Sequence, residues 1–380
     1  MDAQGVAAIC LIMMKHFSIV FRTDASLNIG TGHVMRCLTL AQALRERGAQ
    51  CSFICREHPG NLLELIRQRS FQVFALPVAH FAEETEAQAN PVHASWLGAS
   101  WETDAEQTLA VLHNSPVDWV IVDHYALDAR WECSVRPACA HIMVIDDLAD
   151  RQHDCDLLLD QNLDRKVIDY ARLVPDGCEI LAGTEYALLR PEFAALRTYS
   201  LQRRTAAQFK HLLITMGGVD KDNATGRVLD ALKNSALPDD CYITVVMGPH
   251  APWLEQVRDQ AAQMSWKTKV LVNVQDMAAL MAESDLAIGA AGTTALERCS
   301  LGLPTLTLVL AENQRSGAHA LAAKDCIMLL NGPLQLQYDL DRLLAVAIQP
   351  ENLQKMQLAS SAIVDGEGGV RITNWLMTHD

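Results

Sequence analysis

Short apolar runs rich in β-branched residues alternate along this chain with stretches whose apolar positions fall at helical spacing. The runs read as parallel strands buried on both faces, at 17–21, 51–55, 119–122, 141–145 and 156–159. Between them the spacing predicts helices over 33–47, 60–69, 102–113 and 128–137. A second series starts at His211, with strands expected at 211–215, 242–247, 269–272, 285–288, 305–309 and 326–329. Its helices are expected at 222–234, 252–264, 276–283, 293–301, 314–323 and 340–347. Alternation of strand and helix is the mark of an open α/β sheet. Two series give two Rossmann-like, doubly wound domains facing each other across a cleft, over 17–200 and 205–380. The polar stretch Arg197–Gln208 is the natural linker, and the last helix is free to pack back on the N-terminal domain.

The first strand runs into Asn28-Ile29-Gly30-Thr31-Gly32-His33-Val34-Met35-Arg36, and a helix starts there. Gly30 and Gly32 let the turn approach a ligand closely, and the helix start aims unpaired N–H groups at it. His33 adds an imidazole, a proton acceptor usable near neutral pH, and Arg36 lies on the same helical face.

A second glycine turn, Gly289-Ala290-Ala291-Gly292-Thr293-Thr294, follows the 285–288 strand. Its backbone can seat a diphosphate, and Thr293 and Thr294 can add hydroxyl donors. Glu297 sits one helical turn beyond Thr293, where a carboxylate can accept hydrogen bonds from both hydroxyls of a ribose. The loops holding Gly217-Gly218 and Asn313-Gln314 also follow strands, which places four polar loops at one sheet edge.

At 380 residues the chain exceeds one typical core and fits two domains. Its formal charge of −15 argues against nucleic acid or an anionic membrane as partner, though not against an anionic small molecule. Eleven cysteines are scattered with no Cys-x-x-Cys, which reads as buried free thiols in a reducing cytoplasm. Zinc-ligand spacing is absent, so no metal is expected. Residues 1–16 read as a loose extension: the apolar patch Val6–Met14 is too short to span a bilayer, and its charge order is wrong for a signal peptide. Met13 or Met14 offers an alternative start.

Arg22-Thr23-Asp24-Ala25-Ser26, with Ile29 through Cys37, resembles the opening of the bacterial UDP-sugar hydrolases of pseudaminic acid biosynthesis. Val122-Asp123-His124-Tyr125 is similar to that family's Val-Asp-x-Tyr element, and Ile145-Asp146-Asp147-Leu148-Ala149 to its Asp-Asp element. Gly289–Glu297, Gly302-Leu303-Pro304 and Asn313-Gln314 resemble the donor half of that family and of the related transferase that makes lipid II. The resemblance implies the GT-B fold and hydrolysis of UDP-2,4-diacetamido-2,4,6-trideoxy-β-L-altropyranose to UDP and the free sugar, without metal or other cofactor. It matches His33 to the family's histidine and Tyr125 to its tyrosine. Glu297 corresponds to the UDP-contacting glutamate, and Asn313 or Gln314 to the amide beside the diphosphate. The stretch before Phe17 departs from the family pattern.

The catalytic set expected from these readings is His33, Tyr125 and Asp24. The substrate-binding set is Gly30, Gly32, Arg36, Asp123, Gly217, Gly218, Gly292, Thr293, Thr294, Glu297, Asn313 and Gln314. Asp24 and Asp123 lie just past strands, where either can orient His33, hold the sugar or cap a turn. Arg36 is read as a substrate contact or an internal salt bridge, and Asp146-Asp147 as a metal-binding or turn-capping pair. The rival functions are a GT-B transferase using a UDP-amino sugar, a UDP-N-acetylglucosamine 2-epimerase and a non-catalytic nucleotide-sugar binder. A lipid acceptor calls for a basic, apolar patch, whereas residues 82–106 carry six acidic residues and no Lys or Arg. The expected protein is a cytoplasmic monomer.

Overall fold

The computed structural model describes residues 17–78, 91–113, 116–249, 251–331 and 335–378. The expected extension at 1–16 lies outside them.

The first sheet contains β1 (Ser18–Thr23), β2 (Gln50–Arg56), β3 (Gln72–Leu76), β4 (Trp119–Asp123), β5 (His141–Ile145), β6 (Leu157–Asp160) and β7 (Glu179–Ala182). All are parallel, in the order β3-β2-β1-β4-β5-β6-β7. Helices α1 (Gly32–Glu46), α2 (Leu63–Gln68), α3 (Trp101–Leu112) and α4 (Ala129–Val135) cover its faces. The alternation along β1 shows why the run is apolar throughout. Ile19 and Phe21 pack on the side of Val34, Cys37 and Leu44 of α1, while Val20 packs on the side of Trp131 of α4.

A connecting helix, α5 (Pro191–Arg204), leads to the second sheet. That sheet contains β8 (His211–Thr215), β9 (Tyr242–Met247), β10 (Lys267–Val272), β11 (Leu286–Ala290), β12 (Thr305–Leu308) and β13 (Met328–Leu330). It is also parallel, in the order β10-β9-β8-β11-β12-β13. Its helices are α6 (Ala224–Leu232), α7 (Leu254–Ala262), α8 (Met277–Glu283), α9 (Thr294–Ser300), α10 (Arg315–Ala323), α11 (Leu336–Ala347) and α12 (Pro350–Ser361). The last helix among the described residues is α13 (Gly368–Thr378).

Strand order reverses between β1 and β4 in one sheet and between β8 and β11 in the other. Ligands of open α/β sheets bind at such points, beyond the carboxyl ends of the strands. The Gly30–His33 turn and Asp123 stand at the first, and Gly217-Gly218 and Gly292–Thr294 at the second.

The periodicity places the interior strands of both sheets and the edges of the second, β10 and β13, and misses the two edges of the first. β3 and β7 are not among the expected strands; each carries only a short apolar run with partly or fully exposed positions, as an edge strand does. The Arg197–Gln208 stretch is mostly the second half of α5, not an irregular connector. Its buried face, Phe193, Ser200 and Arg204, docks on the second half: Ser200 Oγ donates to Leu301 O at 2.7 Å, and Arg204 Nη2 to Met281 O at 2.7 Å. Across 191–204 the chain therefore packs on elements of the second half. In return α13 packs with the first half, with Ile372 and Leu376 in its core and the Trp375 ring 5.9 Å from Trp119. The described cysteines are free, but Cys133 is exposed where burial was expected.

Candidate active site

The Gly30–Gly32 turn carries the chain from β1 into α1, with Gly30 at φ +82°. Thr31 makes no side-chain cap, so the first N–H groups of α1 face the cleft. His33 lies in the first turn of α1, and Asp123 ends the neighbouring strand β4. Because Thr23 and Asp123 are in register, β4 delivers its carboxylate directly beneath the turn. His33 Nδ1 lies 2.6 Å from Asp123 Oδ1.

Arg36, one helical turn beyond His33, reaches the same carboxylate. Its Nε donates to Asp123 Oδ2 at 2.6 Å and its Nη2 to Asp123 Oδ1 at 2.7 Å. Burial alone would raise the Asp123 carboxyl, but Arg36 and His33 hold it well below the ordinary carboxylate range. An ionised Asp123 can only accept, so Nδ1 of His33 carries a proton, and in the neutral imidazole Nε2 is the acceptor.

Tyr125 follows two residues after β4 and stands edge-on to His33, with ring centroids 4.5 Å apart. Its hydroxyl donates to Asp147 Oδ2 at 2.7 Å, and Arg36 Nη1 donates to the same oxygen at 2.7 Å. Burial, then the Asp147 charge, push the Tyr125 phenol well above its usual value. The phenol stays protonated.

Asp24 is placed elsewhere. It is fully buried one layer below, held by Arg22 Nη2 at 2.9 Å and the Arg56 backbone N–H at 2.6 Å. His124 and His58 Nε2 lie 3.3 and 3.6 Å from it. Asp104 completes this layer, accepting from Arg22, Arg56 and the Trp131 indole. The layer supports the turn and does not line the cavity.

One cavity, of about 310 Å³, is lined by Gly30, Gly32, His33, Arg36 and Tyr125 from the first half. From the second half it takes Gly217, Gly218, Gly292, Thr293, Thr294, Asn313 and Gln314. A second cavity of about 260 Å³ shares Gly32, Arg36, Gly218, Thr293 and Thr294 and continues to Glu297. Sequence reasoning missed most of its far wall, Met247, Gly248, Asn273, Val274 and Met277. These residues close the end beyond Glu297 and carry no motif. Arg190, also missed, holds Glu297 with Nη2 at 3.3 Å from Oε1. Burial raises the Glu297 carboxyl, and Arg190 works in the opposite direction. The two halves meet at the turns: a Cβ on Gly32 would lie 3.3 Å from Thr293 Cγ2, and one on Gly218 3.4 Å from Thr31 Oγ1.

The sequence and the fold that carry this site have relatives among known proteins. Residues 211–364 match the C-terminal domain of glycosyltransferase family 28. The crystal structure of Acinetobacter baumannii MurG superposes with a TM-score of 0.64, covering 95% of this chain and 99% of that one at 16% identity. The fold is GT-B. The chain is also related to the UDP-2,4-diacetamido-2,4,6-trideoxy-beta-L-altropyranose hydrolase of Campylobacter jejuni, 26% identical over 80% of this chain and 96% of that protein. An uncharacterized protein of Methanocaldococcus jannaschii is 25% identical over 78% of this chain, and the matched stretch spans 56% of that protein. The GT-B cleft lies between the two switch points, where both glycine turns stand. No helix among the described residues is long and apolar enough to cross a membrane.

Proposed function

We propose that this chain hydrolyses UDP-2,4-diacetamido-2,4,6-trideoxy-β-L-altropyranose to UDP and the free 2,4-diacetamido-2,4,6-trideoxy-L-altrose. The reading rests above all on His33, which is paired with the buried Asp123 at 2.6 Å and lines one cavity with Gly292, Thr293 and Thr294 of the opposite domain. The relationship to the Campylobacter hydrolase supports the choice of substrate.

In this reading the UDP lies on the second domain. The backbone N–H groups and hydroxyls of Thr293 and Thr294 take the diphosphate, and Asn313 and Gln314 flank it. Glu297, steadied by Arg190, accepts the ribose hydroxyls. Water attacks the anomeric carbon while His33 Nε2 takes its proton. The bond from the anomeric carbon to the diphosphate oxygen breaks, and UDP departs with that electron pair. Asp123 keeps the imidazole in the accepting tautomer and stabilises the imidazolium that forms. Tyr125, fixed by Asp147, positions the sugar. Arg36 is engaged by two carboxylates and acts by holding Asp123 and Asp147 in place.

The family 28 match and the MurG likeness favour one second reading, a transferase with a sugar acceptor. Incubation with the UDP-trideoxy sugar and no acceptor decides between them. Stoichiometric UDP and free sugar are expected. Intact UDP-sugar after prolonged incubation would refute the hydrolase, and an isomeric UDP-sugar would indicate an epimerase.

A further inference from the structure

Tyr125 is backed by a segment that belongs to none of the motifs. A single 3-10 turn, Ala94–Trp96, precedes α3, and its flanking side chains form a ring cluster. The His93 and Trp96 rings are 4.3 Å apart, and lie 5.5 and 6.0 Å from the Tyr125 ring. With His33 edge-on to Tyr125, four rings run from partly exposed surface to the imidazole.

The turn is firmly seated. Leu97 is 2% exposed and packs in the core with Trp131. Gly98, at φ +67°, lies so close to His58 that a Cβ would come within 2.6 Å of its Cε1. Ser100 then caps α3 by accepting from the Thr103 N–H at 3.1 Å. The cavity at His33 is completed by residues of the second domain and has Tyr125 in its lining, while His93 and Trp96 pack against the Tyr125 ring and are not among the lining residues.

We propose that the His93–Trp96 turn selects water as the nucleophile, by filling the side of Tyr125 along which an alcohol or sugar acceptor would reach His33. The inference rests on the hydrolase reading and adds a specificity element to it. In the wild type a water oxygen bonds to the anomeric carbon, its proton goes to His33 Nε2 and UDP leaves. Where the rings are removed, an alcohol oxygen takes that place, gives its proton to the same nitrogen and yields a glycoside plus UDP.

The test supplies the UDP-trideoxy sugar in glycerol–water. It measures UDP release together with the ratio of glyceryl glycoside to free sugar by mass spectrometry. Trp96→Ala and His93→Ala should each raise that ratio about fivefold or more, with UDP release within about threefold of wild type. Trp96→Phe, which keeps a ring, should retain the wild-type ratio. Both side chains are partly exposed, and thermal melting identifies any variant that fails to fold, leaving the other alanine variant to decide. An unchanged ratio in folded variants that still release UDP overturns the proposal. A wild type that releases no UDP instead overturns the hydrolase reading, and this proposal with it.

Discussion

His33 Nδ1 lies 2.6 Å from Asp123 Oδ1, and Arg36 Nη2 reaches the same oxygen at 2.7 Å. One buried carboxylate therefore sets the tautomer of the imidazole and is itself pinned by a guanidinium from the next helical turn. His33 is 7% exposed, and the cavity is its opening to solvent. Replacing it by Ala removes the proton acceptor without touching the second glycine turn. Turnover should fall about a hundredfold or more, while calorimetry finds UDP affinity nearly unchanged. Near-normal turnover would remove His33 from the mechanism.

Asp123 should affect stability as well as rate. Its carboxyl is held low in the folded chain, so its contribution is present above the ordinary unfolded value, about 3.9, and is lost as pH falls from there toward the folded value. Asp123→Asn keeps the shape and drops the charge. The variant should lose about 3 kcal/mol at neutral pH, because Arg36 stays buried with one carboxylate fewer. Its melting temperature should then fall less than that of wild type between pH 6 and pH 3, where the wild type is giving up the same interaction. Parallel melting curves across that range would contradict this account.

Gly248 closes the second cavity without belonging to any motif. A Cβ there would lie 1.8 Å from the carbonyl oxygen of Gly218, so even alanine forces the Gly217-Gly218 loop to move. Gly248→Ala should weaken UDP binding about tenfold or more and raise KM in step. An unaltered UDP dissociation constant would show that this loop does not contact the nucleotide.

The local signals in the sequence were good guides where strand, turn and helix follow one another. Gly30, Gly32 and His33 are neighbours in the chain, and the burial pattern of β1 and α1 is enough to place them. Side chains that meet across long separations were harder. Arg190 and Glu297 are 107 residues apart, and nothing in either segment announces the other. Asp24 follows β1 much as Asp123 ends β4, so the two looked equivalent. What separates them is Arg22, two residues before Asp24 and so on the same side of the strand, which with Arg56 captures Asp24 below the cavity. Asp147 reads in the sequence as half of a metal-binding or turn-capping pair, yet its partners Tyr125, Arg36 and Asn162 make it the second anchor of the site. Arg197–Gln208 reads as a linker because the residues of α5 that dock within it, Ser200 and Arg204, are themselves polar.

Glu297 gives a binding prediction with a distinct kinetic pattern. Because it faces the second cavity and not His33, Glu297→Gln should raise KM about tenfold with a smaller change in kcat. Arg190→Ala should shift KM in the same direction, since it frees the carboxylate that Arg190 steadies. A fall in kcat with unchanged KM for both variants would place the ribose elsewhere.

Asp160 supplies a pH dependence of opposite sign to Asp123. It ends β6, where its Oδ2 accepts from the Tyr170 hydroxyl at 2.7 Å and lies 2.5 Å from Arg165 Nε. Burial, with the nearby Asp147 charge, outweighs Arg165 and pushes its carboxyl up to about 6. A group raised on folding favours the folded state fully below its unfolded value, near 3.9, and that advantage disappears as pH rises through about 6. The wild type should therefore lose about 2 kcal/mol between pH 4 and pH 7.5 relative to Asp160→Asn, which does not titrate. Urea unfolding of both proteins across that range reads the difference, in which groups remote from Asp160 cancel. The test also reaches the site, since Asn162 joins Asp160, through its backbone N–H, to Asp147 beneath Tyr125. If the two stability profiles run parallel, Asp160 is ionised throughout and Arg165, not burial, controls it.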